Sequence, residues 1–178
     1  PGSDLPGVLA YRDIADTETM IEAAARYRRA VVIGGGLLGL EAANGLKARG
    51  MDVTVVHAVQ WLMERQLDRP AADMLRASLE ARGLKVLLPR ITTELVRGES
   101  GRVCAVKFQD GESIPADLVV MAVGIRPSTA LAESAGLLCN RGIVVNDTLQ
   151  TYDPRIYAVG ECVAHRGVAY GLVAPLFE

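Results

Sequence analysis

Val31-Val32-Ile33-Gly34-Gly35-Gly36-Leu37-Leu38-Gly39-Leu40-Glu41 decides how this chain folds. A short β-branched run opens into Gly34-x-Gly36-x-x-Gly39, after which Leu37, Leu38, Leu40, Ala42, Ala43 and Leu46 recur at helical intervals. The three glycines divide the work. Gly34 permits a tight turn, Gly36 lets the backbone approach a pyrophosphate, and Gly39 lets helix and strand pack closely. The helix start then offers unpaired N–H groups to the anion. A plain turn between core elements needs no such set, because each glycine costs conformational entropy on folding. Strand, turn and helix together predict a dinucleotide site at Gly34, Gly36 and Gly39.

Outward from this motif the chain alternates strand and helix. Val8-Leu9-Ala10-Tyr11 reads as a short strand, and Asp13 as the N-cap of a helix running to about Arg28, with Asp16 placed well for the helix dipole. The fingerprint strand spans Ala30 to Gly34, and its helix ends near Gly50. Asp52 to His57 is a β-branched strand; Asp68 and Pro70 open a helix over Ala71–Ala81, closed by Gly83; Lys85 to Leu88 is a further parallel strand. This order predicts an α/β fold with a Rossmann-like, doubly wound parallel sheet. From Thr92 the period shortens. Glu94–Val96, Val103–Phe108, the turn Gln109–Glu112 and Ile114 predict an antiparallel β-meander. Asp117 to Gly124 returns to the core, and strands are expected at Ile143–Val145 and Ile156–Gly160, joined by a linker from Thr148 to Arg155.

Composition narrows the function classes. Half of the 178 residues are hydrophobic but only 4% are aromatic, which favours aliphatic sheet packing. A net charge of -2 with no basic stripe argues against nucleic acid as a partner. No apolar stretch approaches the roughly 18 residues of a membrane span, and no signal peptide is visible. Cys104, Cys139 and Cys162 show neither CxxC nor zinc spacing, which fits a reducing, cytoplasmic setting and small buried or edge roles. Pro1 stands where an initiator Met would, and the apolar run Leu172–Phe177 simply stops, so both ends read as cut.

Three motifs in this order resemble the pyridine-nucleotide-disulfide oxidoreductase superfamily: the fingerprint, Gly124-Ile125-Arg126-Pro127, and Tyr152-Asp153-Pro154-Arg155-Ile156-Tyr157-Ala158-Val159-Gly160-Glu161-Cys162. Within it, Ala10–Thr17, Leu62–Asp68 and Gly171–Glu178 resemble the large subunits of assimilatory NAD(P)H-dependent nitrite reductases. The resemblance implies an NAD(P)H-binding domain with its lead-in over residues 1–126, and over 127–178 a partial return segment of the FAD-binding domain that hosts it. It also implies that Gly34, Gly35, Gly36, Leu37, Leu38 and Gly39 hold the NAD(P)H pyrophosphate and that Glu41 helps position the nicotinamide end. Gly124 and Ile125 would line the same crevice, or serve only as a strand-terminating turn; Glu41 could equally be a solvent-facing helix residue. Gly160 and Glu161 would belong to the flavin motif, with Glu161 in place of the usual Asp. One extra methylene moves that carboxylate by about 1.5 Å. Glu161 could otherwise be an exposed acid.

An NAD-selective site usually carries Asp or Glu about 20 residues past the fingerprint, to bind the ribose hydroxyls. This chain has His57 there. A neutral imidazole can donate one hydrogen bond to a ribose hydroxyl, and a protonated one would favour a 2′-phosphate, so NADH and NADPH both remain open. His57 could also be a capping or packing residue. His165, with no partner nearby in sequence, is not expected to be catalytic.

The resemblance implies hydride passage from NAD(P)H to FAD and onward electron transfer through an iron–sulfur cluster to sirohaem, where nitrite is reduced. No catalytic side chain or metal ligand is expected here, so the cluster, the sirohaem and the other half of the FAD domain are expected on further sequence as partners, with a homo-oligomer possible. The fragment alone is expected to bind NAD(P)H weakly or moderately, to retain little FAD and to be inactive. The alternatives are a ferredoxin- or rubredoxin-type reductase or NADH oxidase domain, and a nucleotide-binding module only.

Overall fold

The computed structural model describes residues 1–169 and divides the chain into two units, Pro1–Gly124 and Ile125–Glu178. The first unit runs β1 (Val8–Ala10), α1 (Ile14–Arg26), β2 (Arg29–Ile33), α2 (Leu37–Ala48), β3 (Asp52–Val56), α3 (Arg69–Ala81), β4 (Lys85–Leu87), β5 (Thr92–Arg97), β6 (Val103–Phe108), β7 (Ser113–Pro115) and β8 (Leu118–Met121). Five of these strands form a parallel sheet in the order β1-β8-β2-β3-β4, with the fingerprint strand β2 at its centre. The others form the expected antiparallel meander, β5-β6-β7.

The crossovers β1→β2, β2→β3 and β3→β4 all advance the same way across the sheet. Right-handed connections therefore put all three helices on one face. Ala30, Val32, Val53, Val55, Leu118 and Val120 pack there against Met20 and Ala23 of α1, Ala42, Ala43 and Leu46 of α2, and Leu79 of α3. The alternate side chains Val31, Val56 and Val119 face the other way, onto Leu95, Val103, Val106 and Phe108 of the meander. Both faces of the sheet are thus buried, one by helices and one by a second sheet, and the central strands read as continuous apolar runs for that reason.

The predicted helix starts have a visible cause. Asp13 accepts the Asp16 N–H at 2.8 Å, and Asp68 accepts the Ala71 N–H at 3.0 Å, so each carboxylate satisfies an orphan donor at a positive helix end. A third carboxylate pins the sheet register. Asp117, just before β8, accepts the backbone N–H and the guanidinium of Arg29 at the start of β2. That guanidinium holds the Asp117 carboxyl below the usual carboxylate range, against the opposing effect of partial burial.

The second unit contains the short helix α4 (Ala130–Ser134) and strands β9 (Ile143–Val145), β10 (Val163–His165) and β11 (Val168–Ala169). Strand β10 pairs parallel to β9 and antiparallel to β11. The strand expected at Ile156–Gly160 is not formed, and β10 lies just beyond it. Two local features account for this. The Ile156 carbonyl is taken by the N–H and the hydroxyl of Thr151, and Gly160 turns the chain at φ 92°. Val163 and Ala164 are buried, whereas Tyr157 and Val159 remain exposed. The stretches Leu172–Phe177 and Gly171–Glu178 fall outside the described residues, apart from their sequence.

Replacing Asp117 by Asn should lower stability at pH 7 by about 1–3 kcal/mol, since charge-assisted bonds are lost. A carboxyl depressed in the folded state stabilises above its unfolded value of about 3.9, and that contribution disappears as pH falls through the folded value. Denaturation of the two proteins should therefore differ at pH 7 and converge below about pH 4.

Candidate nucleotide site

The fingerprint glycines sit at the carboxyl ends of β2 and β8, where close approach leaves little room. Gly34, at φ 119°, donates its N–H to the Val56 carbonyl at 2.8 Å, and a Cβ on it would meet the Ala122 carbonyl oxygen at 2.2 Å. A Cβ on Gly39 would meet the Gly34 carbonyl oxygen at 2.0 Å. Helix α2 can come this close to the strand end only without a side chain at Gly39, and the end of β8 only without one at Gly34. Gly36 differs: a Cβ there would meet nothing within 4 Å, so the backbone faces open space.

Gly36 is also the N-cap of α2, and no side chain caps that helix. Its first intrahelical bond runs from the Leu40 N–H to the Gly36 carbonyl at 3.0 Å. The N–H groups of Leu37, Leu38 and Gly39 precede that bond, so the helix itself supplies them no acceptor. Donors with no acceptor in the helix, at a positive helix end beside an open Gly36, fit an incoming pyrophosphate. Leu37 and Leu38, both about half exposed, and Val123 leave apolar surface around the same strand ends.

His57 follows β3, and only 11% of its side chain is exposed. Its Nδ1 accepts the Gly35 N–H at 3.0 Å, and its Nε2 lies 3.0 Å from a carboxylate oxygen of Glu64. Both ring nitrogens are thus engaged within the protein, and a direct bond to a ribose hydroxyl would displace one of these partners. A Cβ on Gly35 would press on the His57 ring and on Leu62, which accounts for the middle glycine. Glu64 lies in the Leu62–Asp68 stretch that carries the family resemblance, but no helical or strand spacing pairs it with His57. It is brought to His57 by an irregular loop, whose fold rather than any periodicity makes the contact.

The remaining expected residues are more dispersed. Glu41 is exposed on the second turn of α2. Gly124, at φ 93°, closes the first unit and Ile125 opens the second. Gly160 accepts the Val163 N–H in a turn, and Glu161 is exposed in that turn, immediately before Cys162 and β10. His165 bonds to Asp147 at 2.8 Å, and the Arg166 guanidinium together with His165 holds that carboxyl below its usual range. The three cysteines are free, and none is buried. Among the described residues, no helix is long and apolar enough to cross a membrane, and no group of His, Cys, Asp or Glu is gathered to hold a metal ion.

Residues 1–174 match the model of the family described as pyridine nucleotide-disulphide oxidoreductase. The chain belongs to this family. It is 58% identical over its full length to a nitrite reductase [NAD(P)H] of Bacillus subtilis, of which it covers 22%. Over 98% of its length it is 35% identical to a rubredoxin-NAD(+) reductase of Pseudomonas putida, covering 45% of that protein. Among solved structures, a ferredoxin reductase from Rhodopseudomonas palustris superposes with a TM-score of 0.88 at 33% identity, over 96% of this chain and 42% of that one. The chain therefore spans about a fifth of the nitrite reductase and less than half of the rubredoxin reductase and of the ferredoxin reductase.

Two substitutions in one helix separate close packing from helix propensity. Gly39→Ala should destabilise the chain by about 1–3 kcal/mol through the forced contact with Gly34. Gly45→Ala, where a Cβ meets nothing within 4 Å, should raise stability by about 0.5–1 kcal/mol. Chemical denaturation of both variants checks the pair.

Proposed function

We propose that this chain is the NAD(P)H-binding part of a flavin-dependent nitrite reductase, acting in the cytoplasm. The observation that carries the nucleotide reading is the open Gly36 at an uncapped helix start, set between Gly34, which admits the end of β8, and Gly39, which admits the helix to the strand. Family membership supports the use of NAD(P)H and FAD. The choice of nitrite rests on the 58% identity to the Bacillus subtilis enzyme, against 35% to the rubredoxin reductase.

On this reading the backbone N–H groups of Leu37, Leu38 and Gly39 bind the pyrophosphate, while Glu41, Gly124 and Ile125 orient the nicotinamide half. Gly160 and Glu161 belong to the flavin side, where an exposed carboxylate is available for a ribityl hydroxyl. The coenzymes supply the redox chemistry by hydride transfer from NAD(P)H to FAD, and the protein supplies binding and orientation. The iron–sulfur cluster and sirohaem belong to other parts of the parent enzyme. A ferredoxin- or rubredoxin-type reductase or NADH oxidase is the competing activity, and a nucleotide-binding module without redox role is the competing class.

Titration with NADH and NADPH tests the core of this reading, using the fluorescence of the single tryptophan, Trp61. Gly36→Val should weaken binding by more than about tenfold, because its side chain enters the space proposed for the pyrophosphate. Its effect on stability should stay near the roughly 1 kcal/mol of an unfavourable N-cap. Unchanged affinity in the variant would remove the site from the fingerprint. In the parent enzyme the same variant should abolish NAD(P)H-dependent nitrite consumption; a parent that reduces only a ferredoxin, a rubredoxin or oxygen would favour the competing activity.

A further inference from the structure

The residue at the end of β3 is a histidine where a ribose-binding acid is expected, yet a carboxylate is held beside it. Because Nδ1 of His57 accepts the Gly35 N–H, the ring proton of the neutral imidazole resides on Nε2. That proton is directed at Glu64 Oε2, 3.0 Å away. The backbone of His57 is fixed as well, by its N–H to the Leu87 carbonyl and by the Arg90 N–H to its own carbonyl.

The loop carrying Glu64 is tied to the fingerprint independently of His57. The Met63 N–H donates to the Gly35 carbonyl at 3.0 Å, Met63 turns the chain at φ 57°, and Leu62 anchors the segment with 1% exposure. Glu64 itself keeps 36% of its side chain exposed, which leaves its carboxylate accessible to a ligand. The cation on the neighbouring loop is already committed: the Arg90 guanidinium pairs with Asp110 and Glu112 and stacks on Phe108. A part-exposed carboxylate that spends one oxygen on His57 keeps acceptor capacity for hydroxyl donors, and its charge repels a phosphate dianion.

We propose that Glu64, held in place by His57, is the carboxylate that recognises the adenosine-ribose hydroxyls of the dinucleotide and selects NADH over NADPH. Glu64 takes the part of the missing acid from a different position in the chain, and His57 acts as its positioning residue. The inference rests on the reading of the fingerprint as a nicotinamide dinucleotide site.

The test measures the affinities of the full chain for NADH and NADPH in wild type, Glu64→Gln, His57→Phe and the double variant. Thermal melting of each protein verifies that it is folded. Wild type should favour NADH by about tenfold or more, the scale of a charge-assisted bond pair gained or lost. Glu64→Gln should weaken NADH by about tenfold and leave NADPH unchanged or tighter, collapsing the ratio. His57→Phe should move the ratio in the same direction, and the double variant should be no worse than Glu64→Gln alone, as expected for two residues acting as one unit. A ratio unmoved by Glu64→Gln, in a chain that binds NADH and loses it on Gly36→Val, would overturn the role of Glu64 and leave the nucleotide site standing. Absence of binding by wild type to either coenzyme would overturn both.

Discussion

The approach of helix α2 to the end of strand β2 is the constraint on which the rest depends. A 2.0 Å gap between a would-be Cβ on Gly39 and the Gly34 carbonyl allows hydrogen and nothing larger. The same holds at Gly34, against the Ala122 carbonyl at the end of β8. Three elements therefore meet at one point, and the start of α2 is fixed over the carboxyl end of the sheet. The close fit leaves Gly36 as the fingerprint position facing open space, with the first N–H groups of the helix beside it. Packing and binding thus draw on the same motif for different reasons.

The surrounding sheet holds this point rigid. Its two faces are sealed by unlike layers, with helices on one side and the meander on the other, so neither side is left to solvent. Asp117 ties the start of β8 to the start of β2 at the opposite end of the strands from the glycines. Register fixed at one end decides which residues meet at the other, and so places Ala122 against Gly34. The loop after β3 is then drawn in by His57 and Met63, both bonded to Gly35.

Features governed by local periodicity were legible in the sequence. The parallel strands, the capped helices and the meander each follow from apolar spacing and from Asp, Gly or Pro at their ends. The placement of α1, α2 and α3 on one face was not, because it depends on the order in which β1 to β4 line up across the sheet, a non-local pairing. The apolar run at Ile156–Gly160 reads as a strand by composition, but Thr151 and Gly160 fold it into a local turn and the pairing moves to Val163–His165. In the site, the glycines announce their roles because backbone geometry demands that residue type. The pairing of His57 with Glu64 is invisible in the same sequence, since an irregular loop brings together residues that no helical or strand period would align.

Amide chemical shifts of the chain during titration with NADH report directly on the anion site at the start of α2. The largest shifts should fall at the N–H groups of Leu37, Leu38 and Gly39, with smaller ones at the His57–Glu64 loop. Shifts confined to other parts of the chain, or none at concentrations where the protein remains folded, would contradict that site.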